Sequence, residues 1–503
     1  MANRRPTTLG GLKASGYRPR TVKRELRDNL RARLAAGGPL FPGILGYDRT
    51  VVPGVVNALL AEHDFILLGL RGQAKTRILR SLTTLLDEAV PVLAGSELNE
   101  DPLAPTTPQG ARRVAEAGDD TPVEWLGREE RYNEKLATPD VSIADLLGDI
   151  DPIKAATRRL TFADPEVIHF GIVPRTNRGI FAINELPDLA PRIQVGLFNI
   201  LEERDLQIRG FPVRIPLDIL MVFSANPEDY TNRGSIITPL KDRISSQILT
   251  HYPPSREVAA DITRQEAWTE RDQQGVAIPE EARLLIEEIG FAARESDLVD
   301  QSSGVSARVS ISAMELLVSN LERRALATGD RPVTPRLCDF HMLLPAITGK
   351  VEMVYEGEQQ GAEVVARRLV GQAVRKVFDA RFPEVTKEVG SGGEDDRGPY
   401  APIVRWFAEG NQVTLADEQP FADYERELKR VPGLWELAGR YLDKGAGRGR
   451  EEQAWAAEMV LEGLHQHLKL ARHDLDSQVS YKEMIKFQLL KPRRTGGGRG
   501  DVN

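Results

Sequence analysis

The segment Phe65–Arg80, FILLGLRGQAKTRILR, constrains the fold of this chain more than any other stretch. It is typical of a short apolar strand followed by a glycine loop and the beginning of a helix. Such a loop directs backbone N–H groups, with a helix N-terminus behind them, at the phosphates of a nucleotide. The spacing predicts that the phosphate contacts come from Gly69, Arg71, Gly72, Gln73, Ala74, Lys75, Thr76 and Arg77.

Two side chains of this loop have separate predicted roles. Lys75 is expected to pair with phosphate oxygens, and the Thr76 hydroxyl is expected to bind Mg²⁺. Ala74 stands directly before the lysine, where loops of this type usually have glycine. The alternative interpretation is an ordinary strand-to-helix turn that needs glycine for its geometry.

A second motif lies about a hundred residues further on, in GIFAINELPDL (Gly179–Leu189). Its apolar start predicts a buried parallel strand. Glu185, at the end of that strand, is expected to polarise the attacking water. Asn184 takes the preceding position, where an aspartate usually serves the metal, and offers a neutral metal ligand. Alternatively, Asn184 caps the next helix, because asparagine is a good N-cap residue.

The third motif is IPLDILMVFSANPEDY (Ile215–Tyr230), in which another apolar run ends shortly before Asn226. A side-chain amide at that point can orient the lytic water and contact the terminal phosphate. The alternative is a simple β-turn, which Asn-Pro also favours.

In this order the three motifs resemble those of the AAA+ ATPases. They are most similar to the branch that contains MoxR-type ATPases, magnesium chelatase ATPase subunits and replicative MCM helicases. Alanine before the loop lysine is common in that branch. The segments LLGDIDPIKAATRR (Leu146–Arg159) and HFGIVPRTNRGIFAINELPDL (His169–Leu189) resemble the helix-2 insertion and pore hairpin of the chelatase type. The resemblance covers about Leu40 to Leu321 and implies a three-layer α/β domain with a parallel sheet, followed by a helical lid.

The resemblance also implies two functional arginines outside the loop. Arg243, in PLKDRI, matches the arginine that reaches into the ATP site of the neighbouring subunit, and Arg233 is the runner-up. Arg308, in GVSARVSISAMELL, matches the lid arginine that contacts the terminal phosphate. For each of them the alternative is a solvated helix arginine or a surface ion pair.

The implied function is Mg²⁺-dependent ATP hydrolysis in a homo-oligomeric ring, expected to be a hexamer, that remodels a partner protein or complex. The family implies a partner with a von Willebrand A domain. A second hypothesis is a nucleotide-binding regulatory scaffold with weak or no hydrolysis, because Asn184 is neutral.

Composition and patterning predict four regions. Residues 1–39 form a basic helical segment, residues 40–255 the α/β core with a polar excursion at 95–140, and residues 256–349 the helical lid. Residues 350–503 form a further helical region with a flexible linker at 390–398 and a disordered tail.

The net charge of −8 argues against nucleic acid as the default partner, because non-specific binding to it needs basic surface. No apolar run approaches the ~18 residues of a membrane-spanning helix. The single cysteine, Cys338, excludes an intrachain disulfide, and a cytoplasmic location is expected.

Overall fold

The computed structural model describes residues 5–158, 165–208, 214–227, 235–271, 276–385, 398–441, 449–475 and 478–484. Most of the predicted linker at 390–398 and most of the predicted tail lie outside these residues. The chain divides into two compact units. The first comprises Met1–Gln265 and Asp300–Ala307, and the second comprises Glu266–Val299 and Arg308–Asn503.

The first unit alternates helices and strands. Its helices are α1 (Leu9–Ala14), α2 (Val22–Ala36), α3 (Val51–Leu60), α4 (Lys75–Ser81), α5 (Pro108–Ala117), α6 (Ile143–Leu146), α7 (Pro152–Arg158), α8 (Ile172–Arg175), α9 (Pro191–Gly196), α10 (Phe198–Glu202), α11 (Thr238–Arg243) and α12 (Arg256–Glu266). Its strands are β1 (Phe65–Leu68), β2 (Ala89–Leu93), β3 (Val123–Gly127), β4 (Tyr132–Leu136), β5 (Gly148–Ile150), β6 (Ile168–Phe170), β7 (Gly179–Asn184), β8 (Asp205–Gln207), β9 (Arg214–Pro216), β10 (Ile219–Ala225) and β11 (Ser246–Leu249).

Within the described residues, five of these strands form one sheet in the order β11-β1-β10-β7-β4, and every pairing is parallel. The apolar runs of β1, β7 and β10 are buried on both faces, as a parallel sheet between helix layers requires. Alternate residues of a strand therefore pack into different hydrophobic cores, one on each face of the sheet. Phe65 and Leu67 pack with α2, α3 and α4, whereas Ile66 and Leu68 pack on the opposite face. The predicted α/β fold with a parallel sheet is confirmed.

The edge strand β4 lies inside the segment interpreted from its sequence as a polar excursion. Its residues YNEKL are mostly half-buried, because one side of an edge strand lacks a neighbour. Among the described residues, three antiparallel strand pairs lie outside the five-stranded sheet, namely β2 with β3, β5 with β6, and β8 with β9. The β5–β6 pair falls in the segment that resembles the helix-2 insertion and pore hairpin.

Helix α2 covers most of the predicted N-terminal helix. Val22, Leu26 and Leu30 are buried in the core on the α4 face of the sheet. The Thr21 side chain accepts a hydrogen bond from the Arg24 N–H, and the Asp218 carboxylate accepts from the Val22 N–H. These contacts satisfy donors of the first turn and hold the helix against the strands.

The second unit is mainly helical. It contains α13 (Glu280–Glu295), α14 (Arg308–Thr328), α15 (Leu344–Thr348), α16 (Tyr355–Gln360), α17 (Ala362–Arg381), α18 (Ala401–Ala408), α19 (Phe421–Lys429), α20 (Leu434–Arg440) and α21 (Arg450–Gln466). Besides the predicted helices it holds an antiparallel sheet of β12 (Val413–Ala416), β14 (Gln478–Glu483) and β13 (Leu470–Leu475). In the part of the chain that the structure describes, no helix is both long and apolar enough to cross a membrane.

Candidate functional site

The phosphate-loop segment folds as a strand, a tight loop and a helix. Strand β1 ends at Leu68 and α4 begins at Lys75. Gly72 has a φ of 75°, and Ala74 has a φ of 54° in the left-handed region. For a residue with a Cβ that conformation costs roughly 1 to 2 kcal/mol. Alanine therefore keeps the backbone geometry of a glycine loop at an energetic cost, as strained residues at functional sites do.

Two glycines of the loop are required by close contacts. A Cβ on Gly69 would lie 1.9 Å from the Thr250 hydroxyl oxygen and 2.1 Å from Oε1 of Gln73. A Cβ on Gly72 would lie 2.1 Å from Oγ of Ser306. The glycines thus let neighbouring polar groups approach the loop backbone directly.

The Lys75 side chain is buried and turns back over the loop. Its ammonium donates to the carbonyl oxygens of Gly69 and Leu70, the latter at 3.0 Å. The charge is therefore held at the mouth of the loop, where the phosphate oxygens of a nucleotide would offer it stronger acceptors.

Thr76 and Asn184 come together from α4 and the end of β7. Oγ1 of Thr76 donates to Oδ1 of Asn184 at 3.3 Å, and Oγ of Ser224 donates to the same oxygen at 3.0 Å. These groups are neutral oxygen donors of the type that Mg²⁺ accepts beside waters and phosphates. Among the described residues no cluster of three or more acidic, histidine or cysteine ligands could hold a metal ion. The donor set fits a magnesium ion that takes most of its remaining ligands from nucleotide and water.

Glu185 follows β7 directly and is half-buried, with φ 54° and ψ 51°. It is the residue that precedes the short 3₁₀ helix Leu186–Asp188, whose first turn receives no side-chain cap. Asn184 therefore bonds across the strands instead of capping that helix. The left-handed backbone at Glu185 turns the chain sharply at the carboxyl end of the strand.

Asn226 follows the neighbouring strand β10. The residue before it, Ala225, accepts a hydrogen bond from the N–H of Gly69 at 3.1 Å. The structure thus places Asn226 beside the start of the phosphate loop, as the carboxyl ends of adjacent parallel strands require.

A tyrosine supports the other side of the loop. The Tyr47 hydroxyl donates to the Gln73 carbonyl at 3.0 Å and to the His251 carbonyl at 2.7 Å. The Thr250 hydroxyl donates to Oε1 of Gln73 at 2.6 Å. Burial raises the pKa of Tyr47 to about 12, so it stays a neutral donor. Gln73 is thereby held on both its backbone and its side chain.

The segment Asp300–Ala307 lies against the loop within the first unit. The Arg71 guanidinium donates to the Gly304 carbonyl and to the Ser303 hydroxyl, each at 3.2 Å. The Tyr252 hydroxyl donates to the Arg71 carbonyl at 3.2 Å. Arg71 thus binds protein groups beside the loop, while the Arg77 guanidinium lies near Gly43.

The predicted arginines outside the loop have different surroundings. Arg243 ends α11, at the amino end of β11, and donates to a Glu202 carboxylate oxygen through Nε and Nη2, each at 2.8 Å. Its guanidinium lies over the Phe198 ring at 4.5 Å. Arg243 thus lies near the amino end of β11, whereas the phosphate loop follows the carboxyl end of the adjacent parallel strand β1. Arg308 opens α14 in the second unit, directly after Ala307, and Arg233 lies outside the described residues.

Sequence reasoning missed three polar residues of this region, namely Glu134, Ser224 and Thr250. Ser224 lies near the end of the apolar run of β10, and Thr250 directly follows β11. Both hydroxyls therefore lie near the carboxyl ends of the strands, where a hydroxyl can contact a ligand. Glu134 lies on β4, whose sequence gave no strong strand signal.

Comparisons with known proteins give low similarities. No model of a known protein family matches this chain. Over 96 residues it is 30% identical to the hydrogenase transcriptional regulatory protein HoxA of Cupriavidus necator, a match that spans 19% of this chain and 20% of that relative. The fold is similar to that of a complex between subunits BchI and BchD of magnesium chelatase (16% identity, TM-score 0.34, 64% of this chain and 98% of that chain). It is also similar to NtrX from Brucella abortus (13% identity, TM-score 0.35, 69% of this chain and 66% of that chain). These values are too low to assign a family.

Proposed function

We propose that this chain is an AAA+ ATPase of the MoxR-type or magnesium-chelatase-like branch, which couples Mg²⁺-dependent ATP hydrolysis in a ring to remodelling of a partner. The observation that supports it most is the convergence of three motifs at one edge of the sheet. Lys75 and Thr76 follow β1, Asn184 and Glu185 end β7, and Asn226 follows β10. Ligands of such sheets bind at the carboxyl ends of the strands.

In this proposal each side chain has a defined task. Lys75 binds phosphate oxygens, and the Thr76 hydroxyl with Oδ1 of Asn184 forms the metal side of the site. Glu185 takes up the proton of the attacking water, and Asn226 orients that water. Bound Mg²⁺ offsets the negative charge on the phosphate oxygens.

A steady-state ATPase measurement with Mg²⁺ tests this function. Glu185→Gln is expected to abolish turnover and to keep ATP binding, because the amide cannot accept a proton but preserves the shape. Asp188→Asn, in the adjacent 3₁₀ helix, is the matched control and is expected to retain turnover. Tight ATP binding by the wild-type protein without any turnover would contradict the motor.

That outcome would favour the second candidate, a nucleotide-binding regulatory scaffold. Asn184 is the observation behind it, because a neutral residue at the metal side stabilises Mg²⁺ less than a carboxylate. All the other predicted catalytic positions keep their reactive residue types, which favours the motor.

Arg243 supports a ring as the active form, expected to be a hexamer. In a ring Arg243 would exchange Glu202 for the ATP phosphates of the neighbouring subunit. Arg243→Ala is expected to keep ATP binding and to lower turnover ~10³-fold. Lys241→Ala, exposed on the same helix, is the control. Mixing Arg243→Ala with Glu185→Gln subunits is expected to restore activity, and failure of that complementation would argue against a role in trans.

The family resemblance suggests a protein with a von Willebrand A domain as the first candidate for the remodelled partner. In the same proposal, Arg308 is the lid arginine that contacts the terminal phosphate of ATP. A cytoplasmic location is proposed with it. HoxA is named as a transcriptional regulator, but the net charge of −8 gives this chain no general attraction for DNA.

A further inference from the structure

The phosphate loop turns into helix α4 through a residue with an unfavourable backbone conformation. Ala74 has a φ of 54° and a ψ of 17°, which lie in the left-handed region. Glycine adopts this conformation readily, whereas a Cβ makes it costly. Such a residue keeps a left-handed backbone only where its surroundings hold it there. The support for Ala74 therefore has to come from the contacts of its neighbours, and Gln73 directly precedes it.

The side chain of Gln73 is buried and is held by Thr250, which directly follows β11. The Thr250 hydroxyl donates to Oε1 of Gln73 at 2.6 Å and lies 3.2 Å from the Leu68 carbonyl oxygen. The backbone N–H of Thr250 donates to the same carbonyl at 2.7 Å, so Thr250 itself is fixed at the end of β1. Only glycine fits at position 69, because a Cβ there would lie 1.9 and 2.1 Å from the two oxygens of the Thr250–Gln73 hydrogen bond.

The backbone carbonyl of Gln73 is held separately. It accepts a hydrogen bond from the Tyr47 hydroxyl at 3.0 Å. In a planar trans peptide the carbonyl and the following N–H point in opposite directions, so this bond turns the Ala74 N–H away from Tyr47. Among the described residues, the N–H groups of Gly72 and Ala74 donate no hydrogen bond. They are donors of the kind that a phosphate-binding loop offers to its ligand.

A contact that holds Gln73 therefore also holds the turn at Ala74 and the direction of its N–H. We propose that Thr250 is a positioning residue for nucleotide binding. Its hydroxyl fixes Gln73, and Gln73 keeps Ala74 in the left-handed turn before the nucleotide arrives. The nucleotide then meets a loop that is already ordered, so less of its binding free energy is used to order that loop. This inference rests on the proposed nucleotide function.

The test is equilibrium binding of mant-AMP-PNP, a non-hydrolysable ATP analogue, to the full chain with Mg²⁺, measured by fluorescence. Thr250→Val keeps the shape, removes the hydroxyl and is expected to weaken binding about threefold to tenfold. Thr250→Ser keeps the hydroxyl and is expected to stay within about twofold of wild type. The matched control is Ser246→Ala, which removes a hydroxyl that lies 2.8 Å from Nδ1 of His63 at the amino end of the same strand. The control is expected to change the affinity less than about twofold.

Substitution of Gln73 tests the same hydrogen bond from its other side. Gln73→Met keeps the length of the side chain and leaves the Thr250 hydroxyl the Leu68 carbonyl as an acceptor. It is expected to weaken binding as Thr250→Val does, and the double variant is expected to bind within about twofold of either single variant, because each removes the same bond. Additive losses would mean that Thr250 acts independently of Gln73 and would overturn the proposal. Gln73→Met also serves if thermal melting shows that Thr250→Val does not fold.

The role of the left-handed turn is tested in an Ala74→Gly background. Glycine adopts this turn without the cost that a Cβ adds, so the turn depends less on the contacts of Gln73. Adding Thr250→Val to Ala74→Gly is therefore expected to weaken binding less than about twofold. A loss as large as the one that Thr250→Val causes in the wild-type background would mean that the hydroxyl acts on the ligand or on general stability. That result would overturn the positioning role.

The two proposals fail in different ways. If the wild-type protein does not bind mant-AMP-PNP, the proposed function fails and this inference fails with it. If wild type binds the analogue and Thr250→Val and Gln73→Met bind it equally well, only the positioning role is overturned. A loss in Thr250→Ser as large as that in Thr250→Val would also overturn it, because the hydroxyl would then not be the group that matters.

Discussion

The two ends of the same five strands are built from opposite kinds of residue. At the amino end, four strands begin directly after a charged residue: Asp64 before β1, Arg131 before β4, Arg178 before β7 and Asp218 before β10. At the carboxyl end, the residues that follow the strands are small or polar: Gly69, Ala137, Glu185, Asn226 and Thr250. Charged residues thus precede four of the five strands, whereas among the residues that directly follow the strands Glu185 alone is charged.

At the amino end, Arg131 and Asp64 are buried and form ion pairs with residues outside the sheet. Arg131 forms a double hydrogen bond with Glu25 of α2, at 2.8 and 2.6 Å, and both side chains are at most 4% exposed. Asp64 lies 2.9 Å from the Lys23 ammonium and 2.7 Å from the Arg204 guanidinium. These contacts tie α2 to the strands.

The carboxyl end is arranged differently, with its strain in the backbone. Ala74 and Glu185 both have left-handed φ values there, and Lys75 is held by carbonyl oxygens. The carbonyl oxygens that accept from Lys75 can be exchanged for a ligand. The proposed function therefore assigns ligand binding to the carboxyl end of the sheet and stability to the amino end, a division that substitutions can test.

The largest expected effect is on binding. Lys75→Ala is expected to weaken ATP binding ~1,000-fold or more, about 4 kcal/mol, since the loop loses the charge that faces the phosphates. The unfolding free energy is expected to change less than the free energy of ATP binding. Calorimetric titration with ATP and thermal melting measure the two quantities. Normal ATP affinity in this variant would refute the phosphate-loop assignment.

The opposite pattern is expected at the amino end. Glu25→Gln leaves the buried Arg131 guanidinium without its charge partner and is expected to lower the unfolding free energy by about 3 to 5 kcal/mol. Asp28→Asn on the same helix affects only exposed pairs and is expected to cost less than about 1 kcal/mol. ATP affinity, measured well below the melting temperature, should stay near wild type in both. A selective loss of ATP binding in Glu25→Gln would break the proposed division.

A pH-dependent effect is expected from Asp218. Burial raises the pKa of Asp218 to about 6, from an ordinary value of 3.8, against the opposing hydrogen bond from Val22 and the charges of Arg178 and Arg131. The folded state therefore binds the proton more tightly than the unfolded state. The associated stability is present at low pH and is lost as the pH rises from about 4 to about 6, by at most about 3 kcal/mol.

Asp218→Asn removes this titration and keeps an acceptor for the Val22 N–H. Denaturant unfolding of both proteins between pH 4 and 7 measures the difference in free energy. The variant is expected to gain stability relative to wild type across that interval and to show a constant difference above it. A difference that is independent of pH would contradict the raised pKa.

Continuous apolar runs made the centre of the sheet predictable, because β1, β7 and β10 are buried on both faces. The edge strand β4 was not predictable in the same way, since its sequence YNEKL has three consecutive polar residues and no apolar run. Glu134 was missed with it. Motif order predicted that Lys75, Thr76, Glu185 and Asn226 form one site, but no local pattern could show that Arg243 pairs with Glu202. Nor could it show that the second unit contains three strands besides its helices.

The smallest expected effect concerns Tyr47, which connects the phosphate loop to the segment after β11 at the carboxyl end of the sheet. The Tyr47 hydroxyl bonds the carbonyls of Gln73 in the loop and of His251 after β11. Tyr47→Phe keeps the buried ring and loses these bonds, so a cost of about 1 kcal/mol is expected in stability and a few-fold loss in ATP affinity. Tyr17→Phe is the control, because Tyr17 bonds Arg178 at the amino end and should affect stability alone. Equal losses of ATP affinity in both variants would mean that the two ends of the sheet are coupled.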